Sequence, residues 1–466
     1  EQTYEATVMW MSGSNGNYPA TEYKRVIPFN GTEEGSFTVK VELPHEGEYH
    51  IWCCFGTFSV YAVSGDLVGV YPFMGDLHLH STYSDGSQTP EFVASSYRAH
   101  GCDFLAITDH YRYYPSLRVM ESFKDIPNEL PLLTGEEVQL PAANGLFTPQ
   151  HTISIGAEYS INAMISGTQT DEVGTDPSTR SLFGKCPDVM SQDEFGAKMA
   201  ELTAQIEVPD NVEAHAAAQL KWIHDEIRRA NGLGIFVHPN WIDCSTYHTP
   251  TALNDWLVEN KIFDAFEVLG GEDYFEQNGL QSIRYYEDMA RGHKYPIVGS
   301  TDSHDATIEN RIAFLCSTMV FSPENERCAL IDSIKKLRSV AVDTLSKEFR
   351  VVGELRYATY ACFLLQHYFP MHDDACFEEG RLMKQAVYGT EEEKEEAIKA
   401  EAYEKAGEIK KKQQKKQEKI EKIREKWEKE KNSRKLVVGE NEIADIVSDW
   451  TKIPVRKLAE EESERL

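Results

Sequence analysis

Apolar and polar residues alternate singly along Ser36-Phe37-Thr38-Val39-Lys40-Val41-Glu42-Leu43, which is the period of a strand with one buried face. Pro44 to Gly47 supplies a turn, Tyr49-His50-Ile51-Trp52 starts a second run, and Phe58 to Val63 resumes it. Residues 1–70 are therefore expected to form a small, structural all-β module.

From about Pro72 to Asp343 the pattern changes. Short apolar runs (Phe104 to Ile107, Ile235 to Val237, Phe263 to Val268, Pro296 to Val298) follow helix-like stretches at Thr89 to Ala99, Ala216 to Ala230, Leu253 to Asn260 and Ile283 to Arg291. Strand and helix in repetition predict an α/β fold around a parallel sheet, open or closed. Polar clusters sit just after these strands, and residues converging from many strand ends point to a β/α barrel. The stretch 157–212, rich in Gly, Pro, Ser and Thr, reads as an insertion with a lid as one role. Val351 to Tyr368 and Cys376 to Tyr388 read as helices separated at Pro370.

Residues 389–435 are mostly Glu, Lys, Ala, Gln and Ile, which predicts a long exposed helix or helical hairpin laced by i to i+4 ion pairs. Ile398, Ala402, Ala406, Ile409, Ile420, Ile423 and Trp427 form one narrow stripe. Two helices pairing along it would make a coiled coil; a single helix would dock it on the body.

Composition narrows the function classes. The chain has 466 residues, 41% hydrophobic and 26% charged, as expected of a soluble globular protein with more than one domain. No apolar stretch approaches the roughly 20 residues that span a bilayer. Glu1 to Glu5 carry no basic region followed by an apolar core, so no leader is visible and a cytoplasmic location is expected. The formal charge of −29 is uneven: residues 1–390 hold 27 basic against 55 acidic residues, and the remainder 20 against 21. An acidic body weighs against a nucleic-acid partner. It does not exclude a small anionic substrate, because bound divalent cations reverse the local sign. The nine cysteines include no C-x-x-C pair, so a thiolate zinc knuckle is not expected.

The densest chemical signal is Gly75-Asp76-Leu77-His78-Leu79-His80-Ser81-Thr82-Tyr83-Ser84-Asp85-Gly86. In an extended strand His78 and His80 point to the same side and offer two imidazoles to one ion. The signal repeats: Asp109-His110, His238, and Asp302 with His304 each follow a later strand. Imidazole and carboxylate suit Zn, Mn or Fe.

These runs, with Gly135-Glu136-Glu137, His151, Val237-His238-Pro239 and Thr301-Asp302-Ser303-His304, resemble the successive motifs of the PHP (polymerase and histidinol phosphatase) superfamily. Within it the chain looks most like the branch of carbaryl-hydrolysing metalloesterases. The resemblance covers about Pro72 to Asp343 and, through Phe369 to Gly380, extends the catalytic unit to residue 388. It implies a distorted (β/α)7 barrel over 71–388, preceded by the β-rich module, followed by the helical tail, and holding two or three divalent ions. It implies His78, His80, Asp85, His110, Glu137, His151, His238, Asp302 and His304 as ligands, with Glu136 as the alternative to Glu137. Asp109 is a candidate catalytic acid or an orienter of its neighbour. Arg112 is the basic candidate for holding a phosphate. Tyr111, Tyr113, Tyr114, Trp241 and Tyr247 are candidate pocket walls.

The implied reaction is hydrolysis of small phosphate esters by a metal-bridging hydroxide; carboxylic ester or carbamate hydrolysis is the alternative. No G-x-S-x-G elbow offers a nucleophilic serine instead. Residues 402–409 resemble the UVR-type hairpin of Clp (Hsp100) chaperone ATPases, and Asn441 to Leu458, within 436–466, resembles their linker into the second ATPase module. No G-x-x-x-x-G-K-[ST] loop accompanies them. The tail is thus expected to be an oligomerisation or chaperone-docking appendage, and a non-catalytic adaptor is the remaining alternative.

Overall fold

The computed structural model describes residues 3–11, 24–30, 39–54, 56–126, 128–140, 151–167, 189–243, 246–247, 249–270, 277–307, 314, 316–344 and 350–389. The expected helical hairpin and chaperone-like segment fall outside the described residues, apart from Gly389. All described elements belong to the compact unit Glu1–Tyr388.

Four strands open the chain: β1 (Thr3–Met11), β2 (Lys24–Asn30), β3 (Gly47–Cys53) and β4 (Gly56–Ala62). They pair antiparallel in the order β2-β1-β3-β4. Tyr49 lies fully buried in β3, its hydroxyl exchanging hydrogen bonds with the His45 backbone. Of the strand expected from Ser36 to Leu43, Ser36 to Thr38 lie outside the described residues, and Val39 to Leu43 join no strand.

The α/β part then runs through β5 (Tyr71–Asp76), α1 (Pro90–Ala99), β6 (Phe104–Ala106), α2 (Tyr114–Phe123), β7 (Leu132–Leu133), β8 (Gly135–Val138) and β9 (Thr152–Ile155). Next come α3 (Gln192–Gln205), α4 (Ala214–Arg229), β10 (Leu233–Phe236), β11 (Ile242–Asp243), β12 (Thr246–Tyr247), α5 (Thr251–Glu259), β13 (Ala265–Leu269), α6 (Gln277–Ala290) and β14 (Ile297–Gly299). The unit ends with β15 (Cys316–Ser322), α7 (Arg327–Lys335), β16 (Ser339–Asp343), β17 (Arg350–Val352), α8 (Leu355–His367) and α9 (Phe369–Tyr388). Val351 and Val352, expected in a helix, are strand; Pro370 sits in the first turn of α9, where its missing N–H is no loss.

The expected seven-stranded barrel is not formed. The strands make two open mixed sheets, one ordered β17-β16-β15-β5-β6-β7 and the other β14-β13-β10-β9-β8. Among the described strands β5-β6-β7 and β10-β13-β14 pair in parallel; β15, β16 and β17 pair antiparallel, and β9 is antiparallel to both neighbours. Consecutive strands β7 and β8 lie in different sheets with only Thr134 between them. Single bridges, Leu79 to Ser303 and His110 to Glu137, are what link the strand ends across the sheets.

The two sheets share a core. Leu77, Phe104 and Val320 from one pack with Ile153, Ile235, Ala265 and Val298 from the other, all buried. Each such aliphatic side chain contributes about 1.5–3 kcal/mol on burial. This core sets the strand ends at a common rim. On the outside α9 lies against α1, where Arg98 donates to Asp103 and Glu379. A Cβ on Gly380 would stand 2.5 Å from the Ser95 carbonyl oxygen and would also crowd the Ala99 nitrogen.

That contact opposes two effects in one substitution. Helix propensity favours Ala over Gly by about 1 kcal/mol, but backbone atoms of α1 cannot turn aside. Gly380→Ala is expected to lower stability by about 1–3 kcal/mol, read as a lower urea midpoint. An unchanged or higher midpoint would contradict this packing.

Candidate metal centre

Each element delivers its side chain by where it ends. His78 and His80 follow β5, Asp109 and His110 follow β6, Glu137 lies in β8, His238 follows β10, and Asp302 and His304 follow β14. Because β9 runs antiparallel to its neighbours, its start rather than its end lies at this rim, which brings in His151. Backbone bonds lace the ends together: His80 N–H to Ser303 O, Thr108 N–H to Leu79 O, Glu137 N–H to Asp109 O, and Tyr111 N–H to Glu137 O. Gly86 lies against the first motif, where a Cβ would stand 2.6 Å from the His80 carbonyl.

Glu137 is the centre. Its Oε2 lies 2.8 Å from His110 Nδ1, 3.4 Å from His80 Nε2 and 3.5 Å from His78 Nε2. Its Oε1 lies 2.6 Å from His151 Nδ1 and 3.4 Å from His238 Nε2. Asp302 Oδ1 lies 3.1 Å from His78 Nε2 and 2.9 Å from His80 Nε2. Asp85 stands at the outer edge, 3.5 Å from His110 Nε2 and 3.3 Å from His304 Nε2. The His80 and His304 rings stack at 4.2 Å.

Burial grades across the group. Glu137, His78 and His80 are inaccessible, whereas the Asp85 side chain is 55% exposed. The cluster therefore opens toward Asp85, His304 and His110.

Electrostatics follows the same pattern. Burial raises the Glu137 carboxyl, but the imidazoles of His110, His151 and His78 outweigh it and hold the group well below its ordinary range. Asp302 is likewise held well down, against burial, by His78 and His80. Burial lowers His78, yet Asp302 and Glu137 carry it well above its usual value; His80, equally buried, goes down because burial wins. His110 is pushed up to about 10, Glu137 and Asp85 overcoming its burial.

Adjacent Glu136 faces the other way. It accepts from Ser160 Oγ, Ile161 N–H and Asn162 Nδ2, and burial raises it to about 6. Asp109 is spent on the loop after His80: its oxygens accept from the backbone and hydroxyl of both Ser81 and Ser84. Arg112 is half-buried, its N–H on the Asp109 carbonyl. Tyr113 is buried with its hydroxyl on Ala157 O, which removes it as a pocket wall; Tyr114 begins α2 beside Tyr83. Trp241 lies 5.5 Å from His238 and 6.0 Å from His151, ring to ring, and the Tyr247 side chain is outside the described residues.

Three groups escaped the sequence reading. Glu267, fully buried in β13, contacts His78 Nδ1 at 3.1 Å and accepts from His238 N–H and Ser300 Oγ. Asp76 accepts from His78 N–H, Thr301 N–H and Thr301 Oγ1, and burial raises it to about 7. Gln139 hydrogen-bonds His151. A signal for Glu267 existed: it is an acid between Phe266 and Val268 in an otherwise apolar run. Asp76 and Glu267 also brace strained backbone, since His238 and Asp302 have φ of 28° and 51°, a conformation costing about 1–3 kcal/mol in a non-glycine residue.

The donor set fits divalent cations. Fully buried His78 Nε2 and Glu137 Oε2 make no hydrogen bond of proper geometry although they lie 3.5 Å apart. Four overlapping groups each bring their donor atoms within 4.8 Å of one another: His80, Asp85, His110 and His304; His78, Glu137 and His238; His78, His80 and Asp302; His110, Glu137 and His151. Imidazole with carboxylate is what Mn, Fe or Zn takes.

No family model matches the chain. The ATP-binding subunit ClpC of the ATP-dependent Clp protease of Staphylococcus aureus is 31% identical over 84 residues, which is 18% of this chain and 10% of that protein's length. Among solved structures, a two-domain protein from Bacteroides vulgatus containing a predicted PHP-like metal-dependent phosphoesterase is 15% identical, with 59% of this chain and 65% of that one covered at a TM-score of 0.37. A lesion-specific endonuclease from Pyrococcus furiosus is 16% identical over 57% of this chain and 56% of its own, with a TM-score of 0.34. No described helix is long and apolar enough to cross a membrane.

Asp109→Ala tests the bracing. It would strip acceptors from two backbone N–H groups and two hydroxyls in the 81–84 loop, and a buried donor left unpaired costs about 1–3 kcal/mol. A loss of at least that size is expected in chemical denaturation, and wild-type stability would refute the role.

Proposed function

We propose that residues 71–388 form a divalent-metal-dependent hydrolase of small phosphate esters. One observation carries the reading: five imidazoles converge on the buried Glu137 carboxylate, with Asp302 beside two of them. His78, His80, Glu137, His238 and Asp302 would hold one ion, with His110, His151, Asp85 and His304 serving a second and a third. When bound, such cations supply Lewis acidity toward the ester oxygen and ionise a water at neutral pH.

The chain's own residues do the rest. Glu267, against His78 Nδ1, turns Nε2 of that ring toward Glu137 and Asp302, as a carboxylate behind a ligating histidine does. His304 Nδ1 lies 2.9 Å from the Asp302 carbonyl, which only accepts, so this nitrogen carries the proton and Nε2 faces Asp85. The exposed edge at Asp85 and His304 admits the substrate, and the buried edge at Glu137 excludes bulk water. Asp109 acts as a positioning residue through the 81–84 loop. Arg112, two residues beyond His110, is the basic residue offered to the phosphate. Trp241 beside His151 and His238 favours the second reading, a neutral carboxylic ester or carbamate with an apolar leaving group. Residues 1–70 serve as a structural module. Residues 389–435 and 436–466 serve as an oligomerisation or chaperone-docking appendage.

The test compares 4-nitrophenyl phosphate with 1-naphthyl acetate on one manganese-loaded sample. The phosphate is expected to win in kcat/KM by roughly 100-fold or more, about 2.7 kcal/mol. His80→Ala should abolish most turnover of either substrate while the protein stays folded, and Arg112→Ala should slow the phosphate alone. A naphthyl acetate preference of that size would transfer the assignment to neutral esters, and full activity in His80→Ala would remove the centre from the reaction.

A further inference from the structure

A second cluster of ligating side chains lies away from the rim just described. Asp103 immediately precedes β6, whereas Asp109 and His110 follow it, so Asp103 sits at the opposite end of the parallel strands, on the order of 15–20 Å away. Across from it, His372 and Cys376 are four residues apart on α9 and share one helical face. Asp103 Oδ1 lies 2.7 Å from His372 Nε2, and Cys376 Sγ lies 3.4 Å from the same nitrogen. All three donor atoms fall within 4.8 Å of one another.

We infer that Asp103, His372 and Cys376 form a second metal site, one that takes a thiophilic divalent ion such as zinc. Three arguments support the assignment. The donor set is a thiolate, an imidazole and a carboxylate, which zinc accepts, and three protein ligands leave room for an exchangeable fourth. His372 is braced for the task, since its Nδ1 lies 3.0 Å from Asp373 Oδ1, the outer carboxylate that fixes a ligating ring and leaves Nε2 toward the other two donors. The surroundings are acidic as well: the carboxylates of Asp103, Asp373 and Glu379 stand around the donors, and Arg98 contacts two of them, 3.1 Å from Asp103 Oδ1 and 2.5 Å from Glu379 Oε2.

Arg98 does not fill the site. A carboxylate oxygen has two lone pairs, and Asp103 Oδ1 meets Arg98 with one while facing His372 with the other; Oδ2 accepts the Met74 N–H. Asp103, His372 and Cys376 line a cavity of about 740 Å³ together with Phe73, Asn128 and Tyr368, so an ion has a way in and a fourth ligand has space. Binding would release the thiol proton of Cys376 and any proton on His372 Nε2. The site would tie α9 to the start of β6, which makes it a structural clasp as well as a binding site.

Cobalt distinguishes this site from the first, whose ligands include no sulfur. The full-length wild-type chain and Cys376→Ser are loaded with Co(II), and the near-ultraviolet thiolate-to-cobalt charge-transfer band is recorded beside cobalt content by elemental analysis. The wild type is expected to show the band and to hold one more equivalent of cobalt than Cys376→Ser, which keeps its ester hydrolysis. Equal cobalt content with no difference in the band would overturn the site. Should circular dichroism show Cys376→Ser unfolded, Asp103→Asn replaces it and is expected to lose the same equivalent; retention of that equivalent would equally overturn the proposal. Loss of hydrolysis with the band intact would count against the proposed hydrolase and leave the second site standing.

Discussion

The structure turns on one buried carboxylate. Glu137 has no exposure to solvent, and the penalty for placing a bare charge there is several kcal/mol. Five imidazoles from four segments, His78 and His80 sharing one, offset it, and each must arrive with a ring nitrogen within about 3.5 Å. Two sheets that pack on a common apolar core, with Leu77, Ile153, Ile235 and Val298 in contact, make that arrival possible. The order of causes is therefore from core to rim to charge: apolar strands fix the strand ends, and the ends fix the donors.

A ring of acids around this centre does work that distance alone hides. Glu267 steers His78 and holds the His238 backbone; Asp76 pins Thr301, and through it the left-handed turn at Asp302; Asp109 gathers the Ser81 to Ser84 loop. None of the three stands in the four donor groups at the rim. Their substitution would act on geometry, so that ligands remain present but misaimed. The exposed edge at Asp85 and His304 has no such bracing from Glu267 or Asp76, in keeping with the substrate entry proposed on that side.

Much of this centre was legible in the chain because the donors follow short apolar runs. His78 and His80 were paired by strand period, and the strands at Phe104, Ile235, Ala265 and Ile297 fall within two residues of where the apolar runs placed them. The resemblance selects Glu137 and leaves Glu136 as the alternative; alternate strand residues point to opposite faces, and Glu136 meets Ser160 and Asn162. The closed barrel was not legible. Apolar runs report that a strand is buried but not its direction, and antiparallel β9, β15 and β16 leave two open sheets. The apolar residues Val351 and Val352 continue the pattern of α8 and so read as helix, whereas Gly353 separates them from it. Glu267 and Asp76 were missed because a residue that acts through hydrogen bonds to other ligands carries no spacing of its own.

On the proposed reading, the buried charge of Glu137 is matched by cations as well as by imidazoles. Calorimetric titration of the metal-stripped chain with manganese tests it most directly, since this hard ion has little affinity for the thiol at Cys376. Two or more equivalents are expected to bind to the wild type, and Glu137→Gln, nearly identical in shape, is expected to lose at least one of them. No uptake by the wild type, or the same uptake by both proteins, would contradict it.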